Sequence, residues 1–200
     1  MVADAIQICT LGSSAPSSDH VLHTLVARAL GWPPARVTIV RDARGRPTVD
    51  GHGSVGLSLT HRDGITLVAI DPHGRVGLDL EARSAASAIA GMAATFLPPA
   101  RVAALRDEGA APESPRWVDC WTELEACAKL AGTGLGDLDP ESAARLVAVP
   151  HGLIAFDVGP GHRAALVHEP GTRQVRFLDA GATPATSATI DVSPTLTPAA

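Results

Sequence analysis

Lysine occurs once in this chain, at position 129, and asparagine and tyrosine do not occur at all, while arginine occurs fifteen times. That balance is the mark of coding bias in a GC-rich genome, which replaces lysine by arginine wherever charge alone suffices. The surviving lysine is a compact ammonium, which the arginine fork does not imitate. Cysteine is scarce as well. Cys9, Cys120 and Cys127 are odd in number and read as reduced thiols, not as a disulfide framework. No apolar run is long enough to span a bilayer, so no membrane partner is expected. The start, "MVADAIQICTL", has an acid and no base before its short apolar run. It makes a poor signal peptide, and a cytoplasmic location is expected. With a net charge of −5 the chain has no basic surplus for a nucleic-acid backbone, and no such partner is expected. What remains is 200 residues, 46% apolar and 18% charged, which suits one large globular domain or two small lobes.

Apolar spacing predicts a helix over 20–30 and strands over 36–40 and 55–61. "DARGRP" (42–47) is a turn with a proline-fixed exit. Strands at 65–70 and 75–81 read as a hairpin through "DPHG". Residues 84–110 read as irregularly helical. A long helix over 114–134 has Ser114 as N-cap, Pro115 in its first turn and Gly132 at its end. "RLVAV", "GLIAFDV", "RAALVHE" and "RQVRFLD" follow as an antiparallel meander. Residues 61–79 and 162–179 share HR, an LV pair, a proline-glycine turn and a terminal Asp, a weak repeat that hints at two facing lobes. The expected fold is α+β, with two similar lobes carrying antiparallel sheets in a pseudo-twofold arrangement. The expected division is an N-terminal segment (1–19), a first lobe (20–110), a second lobe (111–180) and a Ser/Thr/Pro/Ala-rich tail (181–200). Disorder is expected in that tail, "ATIDV" excepted.

Within this frame "VGLDLE" (76–81) puts two carboxylates in an apolar strand. Side chains alternate, so Asp79 and Glu81 share a side with Gly77, and Val76, Leu78 and Leu80 take the other. Taken alone, a D-x-E is ordinarily a solvated strand face. Two neighbouring carboxylates raise each other's pKa unless a base or cation intervenes, and hard cations such as Mg²⁺ prefer oxygen pairs. On the 117–131 helix, Trp117, Cys120, Trp121, Leu124, Ala128 and Ala131 form the core stripe. Glu125 and Lys129 form an i, i+4 pair on the adjoining face, ordinarily a surface ion pair. Three carboxylates and the only lysine can hold Mg²⁺ against a phosphate.

"GRP" (45–47), "LSLTH" (57–61), "VGLDLE" (76–81) and "WTELEACAKLAGTGL" (121–135) occur in the order and spacing of a known family. Over roughly residues 20–180 the chain resembles the 4′-phosphopantetheinyl transferases, of the long, two-lobed, surfactin-synthetase-activating type. The resemblance implies transfer of the phosphopantetheine arm of coenzyme A onto a serine of an acyl or peptidyl carrier protein, releasing 3′,5′-ADP. Such enzymes serve secondary-metabolite biosynthesis. By position, Asp79, Glu81 and Glu125 would bind Mg²⁺ with the diphosphate, Glu125 would deprotonate the serine, and Lys129 would stabilise the phosphate. Arg46 and Pro47 match the loop near the adenine. Thr60 and His61 match a Ser-His pair near the 3′-phosphate. The chain departs from the pattern twice. Leu124 stands where the family carries lysine, and the basic residues usual ahead of the first helix are absent. "SSDHVLH" offers only His20 and His23, without further ligands for zinc. Two alternatives stay open beside transfer: a relative that docks a carrier protein or acts on its acyl thioester, and a generic Mg²⁺ phosphohydrolase.

Overall fold

The long helix forms where its ends demand it. In the computed structural model, which describes residues 5–11, 19–171, 173–179 and 189–192, helix α4 spans Pro115–Ala131. The Ser114 side chain accepts the Arg116 N–H, Pro115 opens the first turn, and Gly132 closes the helix at φ +76°. The other helices are α1 (Asp19–Leu30), α2 (Ala86–Phe96), α3 (Pro99–Asp107) and α5 (Pro140–Ala148).

The fold is mixed α and β, with these five helices and antiparallel pairing in every sheet among the described residues. A five-stranded sheet has the order β10 (Thr189–Val192), β9 (Arg173–Asp179), β1 (Ala5–Leu11), β5 (Ile65–Asp71), β4 (Gly56–Arg62). Its one parallel pair is β1 with β9. A three-stranded antiparallel sheet has the order β6 (Val76–Ala82), β8 (His162–His168), β7 (Gly152–Val158). Two short strands, β2 (Ile39–Arg41) and β3 (Pro47–Val49), pair beside the turn that holds Arg46.

Alternation along the strands sorts the core into layers. Cys9, Leu11, Val68 and Ile70 pack with α1 on one face of the larger sheet. Ile6, Ile8, Leu67 and Ala69 face Val76, Leu78, Leu80 and Leu166 of the smaller sheet. Beyond that sheet, Ala165 and Val167 pack on Ala126 and Cys127 of α4. Trp117, Val118, Trp121 and Leu124 join α4 to the neighbouring helices. The even positions of β6 thus fill the space between sheets, and its odd positions turn toward α4.

Several local expectations give way to stronger signals. The 65–70 and 75–81 strands do not form a hairpin. They belong to different sheets, and β5 takes β4 as its hairpin partner through Asp63 and Gly64, both at positive φ (48° and 78°). Asp71 ends β5 by accepting the His73 N–H at 2.8 Å. "RLVAV" is not a strand but the end of α5. Asp139 caps that helix by accepting the Ser142 N–H, Pro140 and Glu141 open it, and Ala143, Leu146 and Val147 fall at helical spacing toward the core. The strand expected over 36–40 begins only at Ile39, after a 3₁₀ turn over Pro34–Arg36. β1 arises from the short apolar run near the N-terminus. It is buried on both faces between two neighbours, which explains its lack of alternation. β10 falls on "ATIDV", whereas the rest of the tail expected to be disordered, 181–188 and 193–200, lies outside the described residues.

The chain passes directly between the two larger sheets twice, and the two crossings lie side by side. β5 passes to β6 through 72–75, and β8 passes to β9 through 169–172. Glu169 Oε2 accepts the Arg75 N–H at 3.1 Å, and Arg173 Nε lies 3.7 Å from Asp71 Oδ2. Among the described residues no helix is long and apolar enough to cross a membrane.

Candidate metal and phosphate site

Gly77 sets the geometry. A Cβ there would stand 1.9 Å from the Ala126 carbonyl oxygen and 2.7 Å from the Leu130 nitrogen, so only glycine lets the α4 backbone lie this close to β6. The approach carries Glu125 and Lys129 onto the odd face of β6. Asp79, Glu81 and Glu125 each then offer an oxygen within 4.8 Å of the others. The sequence-predicted carboxylates therefore meet.

The sequence-predicted ion pair forms differently. Lys129 Nζ donates to Asp79 Oδ1 at 2.7 Å and to the Leu78 carbonyl oxygen at 3.0 Å, while no Glu125–Lys129 ion pair occurs among the described residues. The reason is that β6 is an edge strand whose outward carbonyl at Leu78 needs a donor. Ser58 serves the same residue by accepting the Leu78 N–H at 2.9 Å. Thr60 Oγ1 donates to Asp79 Oδ1 at 3.3 Å, which places Thr60 at the cluster. His61 alternates to the opposite face of β4 and is exposed, so it does not join the acids.

The cluster is short of positive charge. Arg62 Nη2 lies 3.1 Å from Glu81 Oε2 and Lys129 holds Asp79, two cations against three carboxylates. Burial first, then the Asp79 charge and a hydrogen bond to it, push Glu125 up to about 8, with Lys129 acting the other way. Burial also raises Glu81, with Arg62 opposing. Asp79 Oδ2 is buried and accepts no hydrogen bond, and Glu81 Oε2 is met only by the Arg62 ion pair. An unsatisfied, buried oxygen in a carboxylate trio short of positive charge is a donor set that fits a hard divalent cation.

Beside Lys129 opens a cavity of about 320 Å³, lined in part by Arg41, Arg44, Arg46, Pro47, Ser58 and Gly132. Arg46 and Pro47 thus meet the expected site, carried there by the turn before β3. Sequence reading passed over Arg62 and Arg44. The arginine-dense "RDARGR" and the HR beside the acidic motif were the available signals. Thiol chemistry has no purchase here, because burial pushes Cys9 up to about 11 and Cys127 up to about 12. His23 is spent on the Val37 carbonyl oxygen, 2.6 Å away. Leu124 is fully buried among Trp117, Val118 and Trp121, so this position presents nothing to the cavity. No protein-family model matches the chain, and no curated protein matches it.

Proposed function

We propose that this chain is a 4′-phosphopantetheinyl transferase, moving the arm of coenzyme A to a serine of an acyl or peptidyl carrier protein and releasing 3′,5′-ADP. One observation carries the reading. Three carboxylates lie within 4.8 Å of one another, and Lys129, which holds one of them, lines an arginine-rich cavity of nucleotide size. The motif resemblance points to the same residues independently of their geometry.

In this reading Asp79, Glu81 and Glu125 hold Mg²⁺, which when bound supplies charge neutralisation at the diphosphate. Glu125 takes the proton of the incoming serine. The serine oxygen bonds to the phosphorus that bears the pantetheine, and the bond from that phosphorus to the bridging oxygen breaks, the oxygen leaving with adenosine 3′,5′-bisphosphate. Lys129, anchored by the Leu78 carbonyl oxygen, aims its ammonium at the charge that develops. Thr60 fixes the Asp79 carboxylate. The same reading takes the fold as two similar lobes related by a pseudo-twofold axis. The reciprocal crossings support it, because Asp71 with Arg173 and Glu169 with Arg75 hold matching places in the two repeated segments.

Fully buried Leu124 favours the second reading, a relative that binds a carrier protein or acts on its acyl thioester, because a family cation is missing there. The test is incubation with coenzyme A, Mg²⁺ and a panel of apo carrier proteins, read by intact mass. A carrier that gains the mass of the arm, only when Mg²⁺ is present, is the expected result. A panel that gains nothing while one member still binds the protein replaces transfer by the second reading.

A further inference from the structure

The two cations at the acidic cluster do not hold it alike. β4 sends two side chains to it from one face, Thr60 to Asp79 and Arg62 to Glu81, because residues two apart on a strand share a side. α4 sends Lys129 to Asp79. Each carboxylate of β6 therefore has one cation. Lys129 Nζ meets Asp79 Oδ1 and is tied as well to the Leu78 carbonyl oxygen at 3.0 Å, which leaves Asp79 Oδ2 open. Lys129 and a metal ion can thus share Asp79 through different oxygens. Arg62 Nη2 meets Glu81 Oε2, a buried atom with no hydrogen-bond partner, at 3.1 Å. There Arg62 and a metal ion contend for the same oxygen.

A small divalent ion sits about 2.1 Å from a carboxylate oxygen, so an ion on Glu81 Oε2 would lie within about 5 Å of Arg62 Nη2, where the two charges repel. Charge balance points the same way. Three ionised carboxylates are neutralised by Lys129 and one divalent ion, and with Arg62 still in contact the cluster is one charge positive. Arg62 also has room to leave. Its side chain is 43% exposed, against 32% for Lys129, and it sits at the end of β4, paired with Ile65 beside the turn. Lys129 is pinned by a backbone carbonyl, and Arg62 is backed by water.

We propose that Arg62 is the exchangeable counter-cation of the metal site: it holds Glu81 in the metal-free protein, and an arriving divalent ion displaces it toward solvent. This rests on the metal-binding half of the transferase reading. Arg62 is then a positioning residue that acts through Glu81. It keeps the carboxylate aimed while the site is empty, and it sets the concentration at which metal fills the site. A monovalent ion only equals Arg62 in charge and does not displace it, so the contact also selects for divalent ions.

The experiment titrates the full chain with Mn²⁺ in the absence of nucleotide and follows the free ion by electron paramagnetic resonance. Arg62→Gln should bind Mn²⁺ about tenfold more tightly than the wild type, the worth of one charge-assisted contact no longer broken. Arg62→Lys, which keeps the charge, should stay within about threefold of the wild type. Damage to the fold weakens metal binding, so a gain separates a competitor from a structural part. Arg83→Gln removes a charge two residues beyond Glu81 that is paired with Asp157, and it should change the affinity less than about twofold. In the wild type the ¹⁵Nε resonance of Arg62, identified by its loss in Arg62→Lys, should shift as Mg²⁺ saturates the site. Unchanged or weaker Mn²⁺ affinity in Arg62→Gln, an equal gain in Arg83→Gln, or a resonance that stays in place at saturating Mg²⁺ would overturn the exchange. Tighter Mn²⁺ binding in Arg62→Gln without transfer to any carrier upholds the exchange and removes the transferase reading. Mg²⁺-dependent transfer with unchanged metal affinity in Arg62→Gln does the reverse, and a wild type and variant that both bind neither ion remove both.

Discussion

Asp71 and Asp79 are both buried, both on sheet strands and only eight residues apart, yet they are held in opposite ways. Asp71 is met by the backbone. Its Oδ1 accepts the His73 N–H, while Arg173 stands near it and near Glu169, whose own oxygen accepts the Arg75 N–H. Asp79 accepts from side chains, Lys129 and Thr60 among them, and shares its surroundings with Glu81 and Glu125. Backbone donors are fixed by the fold, so Asp71 is a joint. Side-chain donors can swing aside, so Asp79 can yield to an arriving cation. Each has a glycine nearby, and these differ in the same sense. A Cβ on Gly74 would meet the flexible ends of Glu169 and Arg173, whereas one on Gly77 would strike helix backbone.

The contrast can be broken in order of effect. Asp79→Ala should lower the proposed transfer by about 10³-fold or more, since a carboxylate of the proposed metal site is lost, while the metal-free melting temperature holds or rises because repulsion is relieved. Asp71→Ala should do the opposite, losing about 1–3 kcal/mol of stability with unchanged rate per folded molecule. An intact-mass transfer assay beside a thermal melt reads both, and a slow but stable Asp71→Ala protein would collapse the distinction. Next come the cations. Lys129→Arg should cost about 10²–10³-fold in rate, because a broader head misplaces an aimed charge. Arg173→Lys should be silent in rate and cost less than about 1 kcal/mol. Wild-type rates for Lys129→Arg would reduce Lys129 to a strand-edge donor.

The glycines follow. Gly77→Ala should destabilise by about 2–3 kcal/mol, through a clash with backbone that cannot rotate away, and denaturant midpoints should show it. Gly74→Ala should cost under about 1 kcal/mol. The smallest effect concerns protons. Glu125 titrates above its unfolded value, near 8, so its contribution to metal-free stability is complete below about 4.5 and is lost as pH rises through 8. Glu125→Gln should therefore raise the metal-free melting temperature by about 2–4 °C at pH 9 and change it little at pH 4. Added Mg²⁺ should shrink that difference in the wild type. Melts that are parallel across this range would mean that Glu125 carries no strained charge.

The acidic cluster was legible because each part obeys a local period. Alternation puts Asp79, Glu81 and Gly77 on one side, and the 3.6-residue turn puts Glu125 and Lys129 together. The choice of partner was not legible. Lys129 turns to Asp79 and Leu78 because the edge of β6 needs a donor, and an edge is a property of the sheet. For the same reason His61 departs from Thr60, since the strand that carries both presents them to opposite layers. The α5 error was avoidable, because Asp139, Pro140 and Glu141 announce a helix start. The missed hairpin was half visible in Asp63-Gly64. β1 had no periodic signal to read, being buried on both faces. Arg62 meets Glu81 only because strands of two different sheets lie together, which no window of sequence contains.

The paired crossings also govern how this chain can assemble. The larger sheet takes β1, β4 and β5 from the first half and β9 and β10 from the second, while the smaller takes β6 from the first and β7 and β8 from the second. β1 and β9 must find each other across more than 160 residues, so a long loop closure precedes completion of the larger sheet. Cleavage at the bond between 110 and 111 leaves two fragments, neither of which contains the whole of either larger sheet. Each fragment alone exposes unpaired strand edges that invite aggregation. Mixed together, they carry complementary strands, so regain of structure should depend on both concentrations, as in the association of two different subunits.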